Sequence, residues 1–479
     1  MSRASVVIVG GGIAGLSAAW ELSGGAEGPH DDTPRIELIE ASDHFGGALM
    51  TTDFASRRID LGADGFLARR PEAVGLVGEL GWSDRLEAID ASGVSVWLRG
   101  ALHELPEGLV LGLPVSHRQI DQVRGLSWRA RLGARRDELA PVRLEVKDDL
   151  SIGEIVRTKL GAEISYQFVE PMIGGIQAGR IDELSAKSVF PPLLEAARHG
   201  GSLMKALAAL APQSTPNPDA APTPMFYSLK DGVGSLPVEL ARRLDERGVV
   251  LRRGVDVSAL RHTPTRTHPW EVDTLTTTTP ADAVIFAATA PRAAALLGTY
   301  DPALRALGGV RHAGAAMVTF AIRAAHVRLP ERGTGVLVPL GTHWKGEGTL
   351  MVTAVTLLDR KWPRLRREDD VVLRAHVGRI DDERWASIDD ETLSTRVAAE
   401  LAEVLGRFET PLEWRVQRWP AGLPQYVVGY DQMIGAARES AETMGVALCG
   451  MAYDGVGVPA SIGSGRRAAR VVLERLAHA

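Results

Sequence analysis

At 479 residues, 45% of them hydrophobic, the chain is too long for one simple core, so two or three sub-domains are expected. A net charge of −6 with no basic stripe excludes nucleic acid as the main partner, and a single cysteine excludes an intrachain disulfide or a cysteine-rich metal site. The first residues run straight into a strand pattern, leaving no room for a signal peptide, and no apolar run reaches the roughly 18–20 residues of a membrane span; a soluble, cytoplasmic protein without a metal is expected.

Val6 to Val9 is an unbroken β-branched run, the composition of a strand buried on both faces, and Ile13 to Leu22 follows as a helix. Between them Gly10, Gly12 and Gly15 fit G-x-G-x-x-G, with Gly11 in the first gap. The first glycine makes the turn, the second admits a pyrophosphate, and the third lets helix and strand pack closely. The helix start adds free N–H groups and a partial positive charge for phosphates. A second strand, Arg35–Ile39, ends in Glu40, whose carboxylate can accept hydrogen bonds from both ribose hydroxyls and repels a 2′-phosphate. This pattern predicts a bound adenosine diphosphate moiety.

Gly46 and Gly47 then form a second glycine step, and Arg58–Leu61 reads as a short strand entering the turn "GADG". Helical spacing over Pro71–Trp82 predicts a helix. From Leu105 to Leu210 the pattern is mainly helical, with a capping box at Ser151 and Glu154 and a C-cap at Gly161. Leu105–Ser116 is the most apolar loop, expected to pack on its own core, with a membrane surface or a pocket wall as the alternatives. "ISYQFVEPMIGGIQAG" ends in a glycine-rich bend. The proline-studded stretch 211–224 predicts a linker. A helix, two short strands and a hairpin follow, the last ending in the buried strand Ala283–Ala287. Strands and a helix near Asp389–Leu405 fill the segment up to Leu405. Finally "VALCG" delivers Gly450, a glycine loop, and a helix beginning near Pro459. Such a loop lies flat against a planar ring, and its helix start suits a group that gains negative charge, such as a reduced isoalloxazine. Cys449 is expected to be buried and inert.

Strand, glycine loop and helix thus recur at both ends. The fold predicted is α/β, with a discontinuous Rossmann-like domain (1–75, 225–290 and 425–479), an inserted mixed-sheet substrate domain (76–104 and 291–424), a helical subdomain (105–210) and the linker.

Taken together, "VVIVGGGIAGLSAAWEL", "GADGFLARRPEAVGLVGELG", "GALHELPEG", "SIGEIVRTKLG", "EPMIGGIQAG", "FYSLKDGVGSLP", "RWPAGLPQYVVGY" and "AYDGVGVPASIGSGRRAA" span nearly the whole chain. In this combination the sequence resembles the oxygen-dependent porphyrinogen oxidases of haem synthesis, within the amine-oxidase-like flavoproteins. The resemblance implies non-covalent FAD and oxidation of a porphyrinogen, with molecular oxygen as acceptor. It points to the soluble subgroup acting on coproporphyrinogen III; protoporphyrinogen IX, and less closely an amine, are the alternative substrates. Contact with ferrochelatase or with a membrane surface stays open.

By position, the resemblance puts Gly10, Gly11, Gly12, Ile13, Ala14, Gly15, Glu40 and Ala41 on the ADP half of the cofactor. Gly47 and the turn Gly62, Ala63, Asp64 and Gly65 would follow the pyrophosphate and ribityl chain. Val257 would meet the adenine through its backbone. Trp419, Gly450, Val458 and Ile462 would lie by the isoalloxazine. Tyr430 stands where the family commonly has histidine. No side chain is expected to be catalytic, because the flavin carries the chemistry. Arg69 and Arg70 are the candidate partners of substrate propionates.

Overall fold

The computed structural model describes residues 3–91, 93–146, 148–210, 224–345 and 348–478. All but the last residue of the expected linker, 211–224, lies outside them.

Five parallel strands lie in the order Val250–Arg253, Arg35–Glu40, Ser5–Val9, Ala283–Phe286 and Val446–Leu448. The β-branched run makes the central strand because both of its faces are covered. Val6 and Ile8 pack with helices Ile13–Leu22, Pro71–Glu79, Ser235–Glu246 and Val458–Ala477. Val7 and Val9 pack on the opposite side with helices Ala290–Leu297 and Tyr430–Thr443 and the three-stranded sheet that begins at Val257.

A seven-stranded mixed sheet stands beside this half. Its order is Glu413–Pro424, His312–Arg323, Asp370–Val377, Val352–Leu357, Gly335–Leu337, Val94–Leu98 and Ala101–Glu104. One face carries Val318, Phe320, Val355, Leu373 and Ala375 into a core with helix Asp390–Leu405. Helices between His117 and Leu210 close over part of the other face. Leu105–Ser116 packs against that helical core as expected: Leu113 is fully buried, and the Gln119 side chain accepts from Val115 N–H and donates to the Glu107 carbonyl. No helix among the described residues is long and apolar enough to cross a membrane.

Several boundaries differ from expectation. The helix at Pro71 stops at Glu79, because Gly81 turns left-handed at φ +70°. The strand near Arg58 is Arg57–Asp60, one arm of a hairpin with Thr51–Phe54 that the sequence pattern did not show. Most of "ISYQFVEPMIG" forms a widened π-helix, Ser165–Gly174, whose stretched turns accommodate the missing N–H of Pro171, and the chain then turns at Ala178, at φ +48°, within the expected bend. Leu76, Val77 and Leu80 belong to the parallel-sheet core, as do Ala290, Leu304 and Val310. The first strands of these two segments to join the seven-stranded sheet begin at Val94 and His312.

Candidate active site

A cavity of about 450 Å³ opens at the carboxyl edge of the parallel sheet, where α/β sheets bind ligands. Glycine creates it. Gly10 turns at φ +109°, and a Cβ there would come within 2.7 Å of the Ala287 carbonyl. A Cβ on Gly15 would lie 1.9 Å from the Gly10 carbonyl, so this residue lets the helix sit on the strand. A Cβ on Gly12 would meet no protein atom within 4 Å and would project into free space. Gly12 is the N-cap of helix Ile13–Leu22, without a side-chain cap, so the first N–H groups of the helix remain open to an anion.

Glu40 stands at the end of its strand on the cavity wall. One carboxylate oxygen accepts from Gly11 N–H at 2.6 Å, and the other accepts from Ser42 N–H and Oγ at 2.8 and 2.7 Å. Those bonds orient the carboxylate. Ala41, Gly47, Val257 and Gly450 also line the cavity. Gly450 turns at φ +116° and donates its N–H to Ser464 Oγ at 2.8 Å. Tyr426 and Tyr430 each donate a hydroxyl at 2.6 Å, to the carbonyls of Met451 and Ala452. Tyr430 thus anchors the glycine loop from behind.

Other placements lie outside this cavity. Val458 and Ile462 are packed into the core that contains Ile13, Ala14 and Leu16, and do not line this cavity. Gly11 is likewise buried, against the Glu40 side chain. Arg292, which the sequence pattern did not flag, does line the cavity; its Nη2 donates to the Val257 carbonyl and to Asp256, each at 2.7 Å.

The loop Leu61–Gly65 joins the two halves. A Cβ on Gly62 would fall 2.1 Å from the Ala48 carbonyl, and Ala63 is exposed. The Asp64 carboxylate is not free for a ligand: it accepts from Lys361 Nζ at 2.8 Å and Trp362 Nε1 at 3.2 Å. Burial opposes its ionisation, but Lys361 and Arg374 outweigh burial and hold its pKa below the usual carboxylate range. Arg374, from strand Asp370–Val377, donates Nη1 to the Gly62 carbonyl at 3.1 Å, Nη2 to the Asp60 carbonyl and Nε to Thr319 Oγ1 at 3.3 Å. Trp419 donates its indole N–H to the Leu61 carbonyl at 3.4 Å. Asp60, its pKa raised by burial, pairs with Arg364 at 3.0 Å. This buried clasp went unread in the sequence. Its signal was "VVLRAHV", where Arg374 and His376 share one face of an otherwise apolar strand.

Arg69 and Arg70 are exposed on the continuation of that loop. Arg70 is engaged with Glu72 at 2.7 Å, whereas Arg69 makes no ion pair among the described residues. Cys449 is fully buried, and burial pushes its thiol up to about 12. No metal-holding cluster occurs among the described residues.

Residues 13–473 match the sequence pattern of the family described as flavin containing amine oxidoreductase. The chain is 31% identical over 468 residues to the coproporphyrinogen III oxidase of Bacillus subtilis, covering 97% of this chain and 96% of that one. It is 30% identical to the human protoporphyrinogen oxidase over 499 residues, covering 98% of each. A solved structure from Exiguobacterium sp. 255-15 superposes with a TM-score of 0.84 at 29% identity, over 99% of this chain and 100% of that one. Cyclohexylamine oxidase from Brevibacterium oxydans shares the fold, with a TM-score of 0.70 at 15% identity, over 99% and 100%.

Proposed function

Since this chain belongs to the flavin containing amine oxidoreductase family, we propose that it is an FAD-dependent oxidase that converts coproporphyrinogen III to coproporphyrin III, with molecular oxygen as acceptor and hydrogen peroxide as by-product. The observation that carries the substrate is the full-length match, at 30–31% identity, to coproporphyrinogen III oxidases. The cavity supports the cofactor: glycines leave it open, a helix N-terminus faces it, and Glu40 stands on its wall with an oriented carboxylate.

In this reading Gly10, Gly12 and the first turn of helix Ile13–Leu22 hold the pyrophosphate, Glu40 takes the ribose hydroxyls, and the backbone at Val257 faces the adenine. Gly47 and the Leu61–Gly65 loop follow the ribityl chain. Bound flavin supplies the hydride acceptor and the route to oxygen. The chain supplies binding, orientation and exclusion of water. Its glycine loop at Gly450, anchored by Tyr426 and Tyr430, provides a flat backbone surface. Arg69 is the free candidate for a propionate, while Arg70 must first leave Glu72. Arginines between His117 and Val146 favour the substrate with four propionates over the one with two.

The test is anaerobic mixing of the yellow protein with each porphyrinogen. Coproporphyrinogen III should bleach the flavin and show the higher kcat/KM, with three peroxides formed per porphyrin under oxygen. Equal or better turnover of protoporphyrinogen IX in detergent-free buffer would overturn the substrate assignment.

A further inference from the structure

The seven-stranded sheet presents a second face that the dinucleotide cavity does not use. Its buried face is apolar, through Val318, Phe320, Val355, Leu373 and Ala375. On the other face the strand register sets Gln417 beside Met317, Met317 beside His376, and His376 beside Ala354. All four are half-buried, so this row is neither sealed in a core nor open surface. The same strand pair carries His312, Ala421 and Pro424 on the cavity wall. At about 3.3 Å per residue, Met317 lies roughly 16 Å along its strand from His312, past Ala315 and its partner Trp419. Arg374, two residues from His376 and on the same face, reaches the Gly62 carbonyl, so the row faces the side of the Leu61–Gly65 loop, and Ala354 at its end touches the core of the helical segment.

His376 is the unusual member. Its Nε2 lies 3.0 Å from Thr356 Oγ1, and Nδ1 makes no hydrogen bond among the described residues. The charged groups around it are already engaged. Arg374, two residues back on the same strand, is spent on the Asp60 and Gly62 carbonyls and Thr319, and Lys361 on Asp64. Burial, and then the Arg374 charge, push the imidazole down to about 4, so it is neutral at physiological pH. A neutral imidazole that donates from one nitrogen presents the other as an acceptor. Such a group repays no carboxylate, but it fits an N–H donor. A porphyrinogen is rich in such donors, with four pyrrole N–H groups at its centre and its carboxylates at the rim.

We propose that His376 is a substrate-contacting residue: with Nε2–H donated to Thr356, its Nδ1 accepts a hydrogen bond from a pyrrole N–H and fixes the rotation of the macrocycle in the cleft. The assignment rests on the porphyrinogen reading. It places substrate recognition on the inserted sheet, with His376 reading the centre of the ring and cationic side chains elsewhere left to read its edge.

The experiment titrates FAD-loaded protein, reduced with dithionite under nitrogen so that no turnover occurs, with coproporphyrinogen III, whose puckered ring turns its pyrrole N–H groups outward, and with palladium(II) coproporphyrin III, which carries the same propionates, no N–H and no axial ligand. Equilibrium dialysis under nitrogen reads the binding. For His376→Phe, affinity for the porphyrinogen should fall about fivefold, as for one lost hydrogen bond, while affinity for the palladium compound stays within about twofold. His376→Asn, which keeps an acceptor, should recover most of the loss. The Phe variant should lose kcat/KM for coproporphyrinogen III by a similar factor, with flavin content and spectrum unchanged. Equal losses for the two ligands, or no loss for either, overturn the assignment alone. A parent protein that binds neither ligand overturns the porphyrinogen reading and this assignment with it.

Discussion

Gly12 and Gly15, three residues apart in one loop, serve opposite needs. A side chain at Gly15 would drive into the Gly10 carbonyl, 1.9 Å from its Cβ, so Gly15→Val must push the helix off its strand and should leave the protein unfolded or insoluble. A Cβ at Gly12 meets no protein atom within 4 Å. Gly12→Val should therefore fold, with a melting temperature close to that of flavin-free parent, yet purify colourless because the valine occupies space needed by the pyrophosphate. A yellow Gly12→Val protein would remove the cofactor from this cavity. The turn at Gly10 and the close packing at Gly15 were legible in the sequence because spacing alone dictates them. Ile462 shows where that legibility stops: its helix was placed correctly, but which side of the helix faces the cavity depends on packing against Ile13–Leu22, where a Cβ on Gly465 would lie 2.0 Å from the Ala14 carbonyl.

Among elements, strand Asp370–Val377 has the largest unforeseen role. Its alternation could be read as a half-buried strand, but not the destination of its polar residues, because the carbonyls that Arg374 caps lie more than 300 residues earlier in the chain. Long-range partners of this kind leave no local pattern. Arg374→Met should strand the Asp60 and Gly62 carbonyls and leave Asp60 and Asp64 short of positive charge. The loss should be roughly 3–5 kcal/mol in urea unfolding, with faster hydrogen exchange across Leu61–Gly65. Arg374→Lys retains the charge but not the fork that reaches two carbonyls, so it should recover only part of the loss. Unchanged exchange in the Met variant would show that Trp419 and Lys361 hold the loop without it. The strand Glu413–Pro424 was similarly hidden: "RWPAGLPQY" was recognised as a motif, while its two prolines masked an edge strand of the sheet.

For the whole molecule, the recurrence of strand, glycine loop and helix at both ends correctly signalled one sheet assembled from distant segments. The sheet order sets Val446–Leu448 beside Ala283–Phe286 and two places from Ser5–Val9. Helix Val458–Ala477 then packs directly on helix Ile13–Leu22. This arrangement has a consequence for biosynthesis. The ribosome releases the central strand long before the Gly450 wall of the cavity, so a growing chain has no finished place for its cofactor, and colour should come only after residues 446–479 have emerged. A chain stopped at residue 445 should remain colourless when FAD is added, even though every residue expected at the ADP half is present. Supplying residues 446–479 as a separate peptide should restore flavin absorbance if the missing strand and helix are all that is wanting. Nascent chains of this protein must wait with an unfinished sheet edge at Ala283–Phe286, which makes that edge the surface most in need of a chaperone.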